Sequence, residues 1–193
     1  MTPHVQASVL EVLNRSAFPV QLRFYREKHL IWDVWLTSGT EMSVPDPVRA
    51  EIDMNVVFTE ATSLVTYRVR TRICSKAKRL MTQMLAVAGS VRFELDIEPG
   101  NTVGDIEIHN LCSSSVLIEA RYLKTPFVMT SVLEASASST LNFKGVEVTA
   151  IMNGITTARI AIKEWCSDLL IDSEASKHDG PPVVSLVPRR KEQ

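Results

Sequence analysis

Residues 9–24 read VLEVLNRSAFPVQLRF and residues 105–120 read DIEIHNLCSSSVLIEA; the two align without a gap at a spacing of 96. Leu10 falls on Ile106, Glu11 on Glu107, Val12 on Ile108, Asn14 on Asn110, Val20 on Val116 and Leu22 on Ile118. In both stretches apolar and polar residues alternate, a small polar turn follows, and alternation resumes. Period two sends successive side chains to opposite faces of a strand, so each stretch predicts two strands flanking a turn. Self-similarity at a fixed period points to one structural unit used twice.

The echo continues. LTSGTEMSV at 36–44 resembles LEASASSTL at 133–141, and Met54-Asn55 resembles Met152-Asn153. Arg72-Ile73-Cys74-Ser75 resembles Glu164-Trp165-Cys166-Ser167, now at a separation of 92, so loops differ in length between copies. The common order of these matches predicts two tandem related β-sandwich-like units. Pro99-Gly100-Asn101 is the expected boundary. The expected division is 1–100 for a first unit, 101–172 for a second, and 173–193 for a flexible tail.

Most of the chain reads as short strands separated by turn residues, the sandwich pattern. Residues 51–58 and 64–73 predict a hairpin, and 91–97 the clearest strand. Residues 30–36 hold Ile31, Trp32, Val34 and Trp35, heavy enough for core or interface. For 146–162, burial argues for a three-residue loop at Asn153–Ile155, although Asn153-Gly154 is a two-residue turn signal. One amphipathic helix is expected at about 75–88: Ser75 can cap it, Gly89 can end it, and Ala77, Leu80, Met81, Met84, Leu85 and Ala88 form one stripe. That stripe suits packing on a sheet better than lying on a bilayer.

Composition bounds function mainly by exclusion. The 193 residues carry a net charge of -1, so no global field draws nucleic acid or anionic membrane. Three cysteines without metal spacing give neither a disulfide framework nor a zinc site. No window approaches about 18 uninterrupted apolar residues, and no transmembrane segment is expected. MTPHVQASVLEV lacks the features of a signal peptide, so the expected setting is cytoplasmic or virion, with reduced thiols. Asn14-Arg15-Ser16 then reads as a turn, not a glycosylation site.

No phosphate loop, nucleophile elbow or paired-histidine metal motif occurs, and His4, His29, His109 and His178 are scattered. No catalytic, cofactor-binding or metal-ligating residue is therefore expected. Cys74 and Cys166 read as small residues at strand ends, and Cys112 as a turn residue open to solvent. The strongest local signal is basic: Arg68, Arg70 and Arg72 on one strand face, then Lys76, Lys78 and Arg79. Such a cluster can bind an anion or acidic partner, or can form a solvated ladder with Glu94 and Asp96. Val183, Val184, Leu186 and Val187 lie between prolines in a polar tail and suggest a docking arm that adds to a sheet edge.

The expected function is a non-enzymatic structural protein that self-associates or joins other assembly subunits, as a virus or phage particle component would. The alternative is a β-sandwich module binding glycan, lipid or, less favoured, nucleic acid through the cluster from Arg68 to Arg79.

Overall fold

The structure is a computed structural model and describes residues 8–101, 103–173 and 182–188. Among the described residues the protein is mainly β, with 17 strands in four sheets. In chain order the strands are β1 (Val9–Asn14), β2 (Val20–Arg26), β3 (His29–Leu36), β4 (Glu41–Pro45), β5 (Ile52–Thr59), β6 (Thr66–Ile73), β7 (Ala77–Val87) and β8 (Ser90–Pro99). Then follow β9 (Ile106–Asn110), β10 (Val116–Tyr122), β11 (Val128–Leu133), β12 (Ser138–Leu141), β13 (Val146–Met152), the two-residue β14 (Ile155–Thr156) and β15 (Ile160–Ala161), β16 (Ser167–Ser173) and β17 (Pro182–Pro188).

The chain forms two compact units, but not by division near Pro99. One unit joins Met1–Asp46 with Lys144–Gln193; the other is Pro47–Phe143. The first holds sheets β17-β16-β1-β4 and β14-β13-β2-β3, with β15 beside β13. The second holds β8-β7-β9-β12 and β6-β5-β10-β11. The orders match strand for strand. β1–β4 stand where β9–β12 stand; β13, β16 and β17 stand where β5, β7 and β8 stand, and the short β14 and β15 share the place of β6. Even the parallel pairs correspond, β1 with β16 and β7 with β9.

Alternation supplies each core. In the first unit Leu10, Val12, Val20, Leu22 and Phe24 are fully buried, with Val148 and Leu169 opposite them. In the second, Leu80, Val116, Ile118 and Ala120 are equally buried. Phe58 on one sheet stacks on Phe93 of the other at 5.6 Å. Each large apolar side chain so buried contributes about 1.5–3 kcal/mol.

Two buried asparagines tie sheet to sheet. At the end of β1, the Asn14 amide nitrogen donates to the carbonyls of Phe18, Leu36 and Thr37 at 2.9, 3.1 and 3.0 Å. At the end of β9, the Asn110 nitrogen donates to Ser114, Leu133 and Glu134 at 2.9, 3.0 and 2.9 Å. Each side-chain oxygen accepts the N–H two residues on, from Ser16 at 3.0 Å and Cys112 at 2.9 Å. The two asparagines make matching backbone bonds, so the alignment of Asn14 with Asn110 reflects equal bonding to the main chain.

The expected helix at 75–88 is absent; β7 occupies its place and pairs along its length with β8. A spacing of four satisfies both a helix and a strand, so Leu80 and Met84 did not discriminate. Ala77 and Leu80, three apart, both face inward because the ladder shifts between Ala77 and Arg79. Gly100 accommodates this bulge: a Cβ there would lie 2.6 Å from the Lys78 Cβ. Ala88 and Gly89 end no helix. Their φ values of 48 and 82° form the two-residue turn that joins β7 to β8.

The β13 hairpin satisfies both signals that competed in its sequence. Asn153 and Gly154, at φ 51 and 78°, make a two-residue turn that pairs Met152 with Ile155, not with Thr156. Farther out Val148 pairs with Ile160, as burial required. One extra residue between Thr157 and Ile160 shifts the register, keeping the apolar face intact.

Candidate interaction surfaces

Arg68, Arg70 and Arg72 alternate along β6, an edge strand, and all three are exposed. Their cross-strand neighbours on β5 are Val57, Asn55 and Asp53. The expected ladder to Glu94 and Asp96 does not form, because those acids lie on β8 in the other sheet. Glu94 pairs instead with Arg92 at 2.9 Å. Among the described residues the three β6 guanidinium groups have no ion pair, and they repeat at about 7 Å, two strand residues. Lys76, in the link after β6, and Lys78, on β7, are exposed. Arg79 is neutralised by Glu98 and Glu107, each at 3.4 Å. The six-residue cluster is therefore a free strip of three, two exposed lysines and one paired arginine.

A second surface was missed in the sequence because it was assigned to a helix. β9 pairs with β7 only over Arg79–Thr82. Among the described residues, 83–87 continue with β8 alone, as a two-stranded ribbon ending at Ala88-Gly89. Ala86, Val87, Val91 and the turn are exposed, Val87 at 49% and Val91 at 57%. Twelve consecutive residues, 80–91, carry no charge and no proline. Natural sheet edges are guarded by charge, proline, a bulge or shortness, and the β7 edge here has none of these over residues 83–87.

A third surface is the outer face of the β14-β13-β2-β3 sheet. Trp32 turns inward and stacks on Phe24 at 4.9 Å, whereas Trp35 stands outward, 63% exposed. Beside it Gln21 donates to Asp33 at 2.9 Å. Arg159 lies 4.3 Å above the Tyr25 ring and pairs with Glu147 at 3.2 Å. The buried Arg23 Nε and Thr149 Oγ1, on cross-strand neighbours, have no hydrogen-bond partner among the described residues.

Titrating groups are few and dispersed. Among the described residues no three of His, Cys, Asp and Glu converge as a metal cluster. Hydrogen bonds from His109 and then Arg79 hold the exposed Glu107 carboxyl below its ordinary range. Cys74 is exposed and Cys166 half-buried, but Cys112, expected in an open turn, is buried. Burial pushes its thiol up, against a weaker opposing hydrogen bond to Thr82. A cavity of about 10 Å³ lined by Pro47, Ile52, Ile106, Tyr122 and Phe143 has room for one water and none for a substrate.

The proposed docking arm is not free. Val183, Val184, Leu186 and Val187 belong to β17, which pairs antiparallel with β16 at the edge of its own sheet. The expected flexible tail is thus a strand over Pro182–Pro188; its remaining residues, 174–181 and 189–193, lie outside the described residues. None of the described helical segments is long or apolar enough to cross a membrane. No protein-family model, curated protein or solved structure matches this chain.

Proposed function

We propose that this chain is a non-enzymatic structural protein that self-associates, built from a duplicated β unit. The matching strand orders and the paired asparagine corners support the duplication. The observation that carries self-association is the unguarded β7 edge. Its N–H and C=O groups, unpaired among the described residues, and its apolar side chains form a template for another strand. A second copy offers the same edge, and two such edges pair antiparallel about a two-fold axis, the commonest oligomer symmetry. A virus or phage particle, which repeats one chain many times, is the setting this property fits.

The test is light scattering on the full chain at micromolar concentration, beside A86K/V87K, which places charge on the edge. The wild type is expected at a multiple of the single-chain mass and the variant at the single-chain mass. A monomeric wild type overturns the proposal.

A second reading is a binding module, favoured by the unpaired strip of Arg68, Arg70 and Arg72, which suits an extended polyanion. Retention on immobilised heparin that falls with salt and with R68A/R70A/R72A would support it. Absence of retention at low salt would remove it.

A further inference from the structure

The first unit is closed by the two ends of the chain. Residues up to Asp46 supply β1–β4, and residues from Lys144 supply β13–β17. Each sheet of that unit takes two strands from the N-terminal piece. Both sheets therefore have a seam between distant segments. In one, Glu11–Asn14 runs parallel to Asp168–Ile171. In the other, residues 21–26 run antiparallel to 146–151. Between the two pieces lies Pro47–Phe143, which closes on its own strands.

The N-terminal piece carries a bonded corner of its own. The Asn14 corner joins the end of β1 to the end of β3 through Leu36 and Thr37, all within this piece. The same seam appears in the second unit, where β9–β12 close on β5–β8. A four-strand half meeting a complementary half is thus the repeated joint of this fold.

We propose that a second copy of this chain can complete the first unit, the β1–β4 half of one copy closing on the β13–β17 half of another. The seam contacts are the same in either case. Closure within one chain is favoured only by the effective concentration of its own ends, so concentration shifts the balance. Exchange at both ends yields a closed dimer, and exchange passed along successive copies yields a ring or filament. This goes beyond association through the β7 edge, which it does not use.

The test uses full-length chains with Cys74, Cys112 and Cys166 replaced by serine. Gln21 and Ile151 face each other across the seam. One chain carries Gln21→Cys and another Ile151→Cys. They are unfolded, refolded together at high concentration and oxidised. Doubly substituted Q21C/I151C, refolded dilute, reports whether the geometry permits a disulfide by forming it within one chain. Exchange predicts a disulfide-linked pair of chains in the mixture, absent from either variant alone and lost when the mixture refolds dilute. If the double variant links internally but the mixture gives only single chains, exchange is overturned. Multimers by scattering without this cross-link leave the β7 edge as the joint. A cross-link that persists with A86K/V87K shows that exchange does not need the β7 edge.

Discussion

At the scale of residues, the two asparagine corners differ in one informative way. In the first unit the Ser16 hydroxyl donates to the Asn14 oxygen at 2.7 Å. In the second, Cys112 stands at that position and offers no comparable donor. The missing hydroxyl comes from Thr82, which donates to Asn110 at 3.1 Å. Thr82 lies opposite Asn110, as Ile171 lies opposite Asn14. The two corners thus make the same bond from different positions. Thr82→Ile should therefore cost about 1–2 kcal/mol, and Cys112→Ser in that background should recover most of it. Denaturant titration of the four-member cycle checks this; additive effects would sink the compensation. The buried thiol gives a pH-dependent prediction. Its folded pKa is raised above the ordinary 9.0, so its contribution to stability is fully present below that value. It is lost as pH rises through the folded value. Iodoacetamide under native conditions should label Cys74 readily and spare Cys112 until the chain unfolds.

At the scale of elements, β7 shows how a local pattern can be read two ways. Apolar residues four apart fit a helix face and a strand face equally. The discriminating signals were the bulge at Lys78 and the turn at Ala88-Gly89. The bulge requires close backbone approach at Gly100, whose N–H donates to the Lys76 carbonyl at 2.8 Å. Gly100→Ala should destabilise by about 1–3 kcal/mol, since the new methyl has backbone on one side and Lys78 on the other. Thermal unfolding measures this, and an unchanged midpoint would mean that the bulge yields freely. The β13 hairpin is the complementary case: turn chemistry and burial each named a different register, and one extra residue satisfied both.

At the scale of the whole molecule, the repeat in sequence is not the unit of folding. The expected division at residue 100 would keep β1–β4 with β5–β8. The structure instead closes β1–β4 on β13–β17 and β5–β8 on β9–β12. Pro47–Phe143 contains both sheets of its unit without interruption. Expressed alone, residues 47–143 should unfold in a single cooperative transition followed by circular dichroism. Residues 1–46 alone should show none, because half of each of their sheets is missing. A fragment 47–143 without a cooperative transition would contradict the division.

Alternation, turn residues and the echo of residues 9–24 in 105–120 were enough to specify a mainly β chain with two equivalent corners. These are short-range features, set by which side chains a strand can bury and which residues a turn tolerates. The three arginines on one face of β6 were legible for the same reason. Which half closes on which, whether residues 83–87 have a third strand beside them, and whether Val183–Val187 reach outward or pair at home were not legible. Each depends on the pairing of segments far apart in the chain, and a strand's own pattern names the face it buries but not the edge it meets.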